Sequence, residues 1–148
     1  MNGFLGKDTK WTVVEAAAAA GTSTLTTDVL DMTGYEGVMF VVLTGDGTDT
    51  SVLTLTVKAN SANSTSSPTP ITQKASDAFT ANATTADSKV IFVDVYKPGL
   101  RYVFAELTRA TANAVIGGII AIQYGSRSKP TTQDATVIAS AFGVGVAS

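Results

Sequence analysis

VLTLTVKA, residues 52–59, alternates without a break: Leu53, Leu55 and Val57 face one way, Thr54, Thr56 and Lys58 the other. A period of two marks a strand with one buried face. KVIFVDVY (89–96) repeats the pattern, with Ile91, Val93 and Val95 in register. YKPGLRYVFAELTRATANAVIGGIIAIQYGSR (96–127) holds two more strands, 100–108 and 113–125, around a short RATA connection. VMFVVLTG (38–45) is a continuous apolar run, as expected of a strand covered on both sides. With the intervening Gly-Asp-Gly turn, 38–45 and 52–59 read as a hairpin.

STLTTDVLDMTGYEG (23–37) is rich in Thr and Val and closes on a turn signal. WTVVEAAAAAG (11–21) leaves two readings open. Five alanines favour helix, but the segment is shorter than a stable isolated helix needs, so a strand of small side chains fits as well. Residues 60–88 are a long polar stretch of Ser, Thr, Asn and Pro and read as a loop. The sum is an all-β chain of roughly seven or eight strands, with turns at the spacing of a sandwich or jelly-roll-like variant. Residues 1–148 make one domain, with 1–10 as a lead-in and 135–148 as an apolar C-terminal arm.

Composition narrows the chemistry. There is no His and no Cys, so the common general bases, thiol nucleophiles, disulfides and thiolate zinc sites are excluded. A net charge of -2 without a basic cluster removes the electrostatic case for nucleic acid. The longest apolar run, 114–122, falls far short of the ~20 residues of a membrane helix. The lead-in MNGFLGKDTKW lacks the basic segment and apolar core of a signal peptide.

Of the carboxylates, only Asp94 and Glu106 sit inside expected strands, and an outward salt link to Arg101 or Arg109 is favoured over a catalytic dyad. Asp46 and Asp49 lack the ligand number of a calcium site and read as turn residues. Trp11, Tyr35, Tyr96, Tyr102 and Tyr124 would serve a sugar-stacking platform, but Tyr102 and Tyr124 fall inside strands of mixed polarity, where packing with the hydroxyl reaching water is the default. No catalytic residue, metal or cofactor is expected.

Several strands carry a second apolar face. Met39, Val41 and Leu43 oppose Val38, Phe40 and Val42; Val90 and Phe92 back the 91–95 row. Ile116, Ile120, Ile122 and Tyr124 oppose Val115, Ile119 and Ala121. Contiguous apolar surface of this kind marks interfaces. The uncharged tail 135–148 fits the same idea as an arm in a neighbour's groove; a last strand of the chain's own sheet and a frayed end are the alternatives. Met1–Trp11, 60–88 and Asp134–Ser148 are the expected contact segments. The candidate contact residues are Phe4, Trp11, Val137, Ile138, Phe142, Val144 and Val146.

LDMTGYEGVMFVVLTG (30–45), the segment 93–133 and the apolar tail resemble small structural proteins encoded in the head-gene region of tailed bacteriophages and prophages. GYEGVMFVV, KPGLRYVFAELT and GGIIAIQYGSRSKP carry the resemblance most strongly. It covers about two thirds of the chain and leaves out the lead-in and 60–88. The resemblance implies a virion component made in the bacterial cytoplasm. Its implied role is that of a capsid decoration (cement) protein on the outer surface of the head. It implies the major capsid protein and further copies of itself as partners, with a trimer the expected form. Another virion subunit (tail tube, adaptor or head fibre) and a carbohydrate-binding β-sandwich module are the alternatives.

Overall fold

The computed structural model describes residues 4–70, 79–80 and 87–145. A single helical turn, α1 (Leu5–Asp8), is followed by β1 (Lys10–Glu15), β2 (Ala18–Gly21), β3 (Leu25–Thr26), β4 (Leu30–Asp31) and β5 (Gly37–Gly47). After these come β6 (Val52–Asn60), β7 (Thr69–Pro70), β8 (Phe79–Thr80), β9 (Val90–Tyr96), β10 (Tyr102–Ala110) and β11 (Ala114–Tyr124). The alanine run is not helix: its last three residues belong to β2, and β1 and β2 both pair with β11, so tertiary pairing overrides the helical propensity of alanine.

All pairings are antiparallel and form two sheets. The first runs β1–β11–β5–β9, with β2 extending the β1 position. The second runs β3–β10–β6–β7, with β4 extending β3 along β10 and β8 extending β7 along β6. Among the described residues the eleven segments thus fill eight strand positions, four per sheet. Successive positions cross between the sheets except from β6 to β7. This is the strand order of a jelly roll, two Greek keys folded face to face.

The hairpin expected of 38–45 and 52–59 does not form. β5 lies in the first sheet and β6 in the second, so residues 48–51 carry the chain across the sandwich. A short turn rich in Gly, Asp and Thr serves either purpose, and the local sequence does not separate them. Part of 60–88 is also more ordered than a loop. Asn60 holds its beginning, donating from Nδ2 to the carbonyls of Ser64 and Ser66 at 2.9 and 2.8 Å, and β7 and β8 then pair with β6.

The core follows from alternation. Val38, Phe40 and Val42 of β5 and Leu53, Leu55 and Val57 of β6 are buried, as are Val103, Ala105 and Leu107 of β10. On β11, Ile116 joins Ile119 and Ala121 inside, whereas strict alternation would place it outside with Ile120 and Ile122. The cause is a bulge: the pairing steps from Ile116↔Thr44 to Gly118↔Leu43, which inserts one residue and reverses parity. Gly118 at φ +139° supplies the backbone conformation that this step needs.

Arg109 closes one end of the sandwich. It sits on the inward face of β10 and is 4% exposed. Its guanidinium donates to the carbonyls of Ala19, Ser23 and Ala114 and to the Ser23 hydroxyl, all at 2.8–2.9 Å. One side chain therefore ties the second sheet to β2 and β11 of the first, and satisfies carbonyls that have little access to water.

Candidate functional site

The two outer faces of the sandwich differ in chemistry. On the second sheet the outward row of β6 is Thr54, Thr56 and Lys58; Phe104, Glu106 and Thr108 share the outward parity of β10, with Phe104 fully buried and Lys58 paired to Glu106. On the first sheet, cross-strand register aligns Val13, Ile120, Val41 and Phe92 into one row across all four strands. Leu43 and Val90 pair in the adjacent row. Val13, Leu43, Val90 and Phe92 are 41, 50, 57 and 60% exposed. Full burial of one such side chain is worth about 1.5–3 kcal/mol, so the row stores a substantial drive for association.

Toward one end this face dips into a hollow of about 520 Å³. Leu5, Trp11, Met39 and Ile122 form its apolar walls, and Asp8, Asp94, Tyr124 and Lys129 stand at its margin. Tyr124 donates its hydroxyl to Asp94 Oδ1 at 2.5 Å. Burial, together with that bond, pushes the phenol above its ordinary pKa. Lys129 Nζ lies 3.8 Å from Asp8 Oδ1.

The C-terminal segment does not form a strand of the sheet. Residues 131–137 run back along the free edge of β1 and cap it with side chains. Thr131 N–H donates to the Lys7 carbonyl at 2.7 Å. Trp11 N–H donates to Gln133 Oε1 at 2.8 Å and Val13 N–H to Thr136 Oγ1 at 2.9 Å. Gln133 Nε2 donates in turn to the carbonyls of Gly6 and Thr9. The Asp134 side chain accepts from Thr136 N–H, which fixes the turn that presents the threonine.

Of the sequence-derived contact residues, the structure brings Phe4, Trp11, Val137 and Phe142 together around a second, smaller hollow. The Phe4 and Phe142 rings meet at 5.6 Å with a tilt of 59°, and Lys7 Nζ lies over both. Phe142 remains 44% exposed. Ile138 and Val144 stand apart, 96 and 84% exposed. Val146 lies outside the described residues.

The salt links expected of Asp94 and Glu106 take other partners. Arg101 pairs with Asp31 at 2.8 Å, Arg109 binds carbonyls, Glu106 takes Lys58 and Asp94 takes Tyr124. Asp94 and Glu106 belong to different sheets and do not face each other. Tyr102 lies on the second sheet, away from Tyr124, whereas Trp11 and Tyr124 line the same hollow of the first. The edge caps Gln133 and Thr136 carry no signal in the sequence. Arg109 does: it shares parity with Val103, Ala105 and Leu107, which points it inward.

No protein family and no curated protein matches the sequence. Among solved structures, the chain is similar to one from "Structure of infectious bursal disease virus Gx strain", with a TM-score of 0.53. The two are 10% identical over 82% of this chain, which spans 33% of the other. At that identity the likeness is one of fold.

Proposed function

We propose that the chain is a structural component of a virion, and within that class a capsid decoration protein that stabilises a tailed-phage head by bridging major capsid subunits. The observation that carries this reading is the apolar outer face of the first sheet, where Val13, Ile120, Val41 and Phe92 form one row and Val13, Leu43, Val90 and Phe92 are well exposed. A fold shared with a chain of a virus structure supports the broader class. The sequence resemblance to head-region proteins supports the narrower one.

The mechanism is surface burial. The exposed apolar row of the first sheet lies against the shell, and many weak copies act in parallel across the seams. Self-association, with a trimer as the form implied by the resemblance, would present several such faces at once.

The test is binding of the purified protein to heads that lack it, followed by co-sedimentation. The wild type sediments with the heads, and Val90→Ser combined with Phe92→Ser loses at least about tenfold in affinity, roughly 1.4 kcal/mol. Equal binding by the double variant, or none by the wild type, overturns the proposal. Imaging of bound particles separates a decoration protein from a tail or head-fibre subunit by position and copy number.

A further inference from the structure

A jelly roll has four sheet edges, and three are blunted here. The second sheet ends on segments of two residues each, β3 and β4 on one side and β7 and β8 on the other. The β1 edge of the first sheet is capped by Gln133 and Thr136. Short edge strands and covered edges are the usual devices against unwanted pairing. β9 has neither: it is seven residues long, and no described residue pairs with its outer side. Val90, Phe92 and Tyr96 line that edge with more than half of their surface exposed.

The same chain carries an unused strand. Residues 138–145 read Ile-Ala-Ser-Ala-Phe-Gly-Val-Gly, so Ile138, Ser140, Phe142 and Val144 alternate with Ala139, Ala141, Gly143 and Gly145. Bulky residues fall on one face and the smallest residues on the other, a period of two. Yet the segment is no strand, and no backbone hydrogen bond joins it to the other described residues; Phe142 rests on the Phe4 ring, a contact it would exchange on pairing, while Ile138 and Val144 are free in solvent. It also carries no charge that would oppose pairing.

We infer that residues 138–145 of one copy add as a strand to the β9 edge of a second copy. The bulky row then continues the outer apolar face beyond Phe92 and Val90, and the Ala and Gly row fits at the closing margin between the sheets. Strand addition to an open edge draws its affinity from backbone pairing and its selectivity from alternate side chains. The contact is head-to-tail: each copy gives a tail and receives one, and the assembly closes into a ring wherever the rotation permits. Gln133 and Thr136 anchor the base of the tail to its own body, so the arm leaves from a fixed point. This contact is between copies of the chain and is independent of any capsid.

The full-length protein and two variants test it by sedimentation in solution without heads. Ile138→Asp with Val144→Asp disables the tail at two exposed positions; Phe92→Lys disables the edge. The wild type associates in a concentration-dependent way, and each variant alone sediments as one 15.2 kDa chain. An equimolar mixture of the two forms a complex of twice that mass, because one partner retains the edge and the other the tail. Circular dichroism checks folding; if Phe92→Lys does not fold, Val90→Lys replaces it. A monomeric wild type, continued self-association of either variant, or a mixture that stays monomeric overturns the inference.

Discussion

Tyr124 reaches across the width of β5 to donate its hydroxyl to Asp94, and its ring lies directly over Gly37. Tyr124 is paired with Gly37 in the sheet, and Asp94 with Met39 two residues on. A methyl group at residue 37 would sit 2.3 Å from the tyrosine Cζ, closer than any real contact. The glycine is therefore the space in which the aromatic ring lies, beside the 520 Å³ hollow that Tyr124 helps to line.

Gly37→Ala is expected to destabilise the fold by about 2 kcal/mol, the usual cost of overpacking. Urea unfolding reads the change. Tyr124→Ala in the same chain should relieve most of the added cost, since the clash has a single partner. Additive losses would show that the ring is not what the methyl meets.

Arg109→Met should cost about 3 kcal/mol, because it leaves inward carbonyls of β2 and β11 without a donor. Denaturant midpoints measure it. Arg109→Lys recovers little of the loss, since one ammonium does not span the four acceptors that the planar guanidinium reaches. Near-wild-type stability of either variant would mean that water replaces the clamp.

The pH dependence has two limbs. The Arg101 guanidinium, followed by the hydroxyl and N–H of Thr33, holds the Asp31 carboxyl well below its ordinary value near 3.8. The Thr136 N–H lowers Asp134 in the same direction. A carboxyl whose pKa is lower in the folded state contributes stability that is fully present above the unfolded pKa and is lost as pH falls below it. Tyr124, raised by burial and Asp94, behaves oppositely: its contribution is present below about pH 10 and is lost as pH climbs beyond that. Thermal unfolding should show a plateau from about pH 5 to 9 with a decline on each side. High salt flattens the acid limb, because the Asp31–Arg101 pair is exposed. Tyr124→Phe removes part of the alkaline limb. A midpoint that rises between pH 4 and about 2 would contradict the assignment of Asp31.

The strands were legible because alternation is a local property. Leu53, Leu55 and Val57, and likewise Val93 and Val95, needed no partner to declare their inner face. The second apolar face was legible for the same reason, through Met39, Val41, Leu43, Val90 and Phe92. Connectivity was not: the turn after Gly47 carries the same residues whether the chain doubles back within a sheet or crosses to the other. The parity of Ile116 was hidden by a one-residue bulge, which period counting does not anticipate. Phe4, Trp11, Val137 and Phe142 stand out in the sequence as apolar residues near the termini; that they gather around one hollow was not legible, because it depends on how the tail folds back along β1.

The contrast between the two outer faces gives the molecule a top and a bottom. The 61–88 connection departs from β6 and pairs with it again at Thr69–Pro70 and Phe79–Thr80, so both of its anchors belong to the second sheet. A foreign peptide spliced between those anchors would be tethered to that sheet rather than to the one that carries the exposed apolar row.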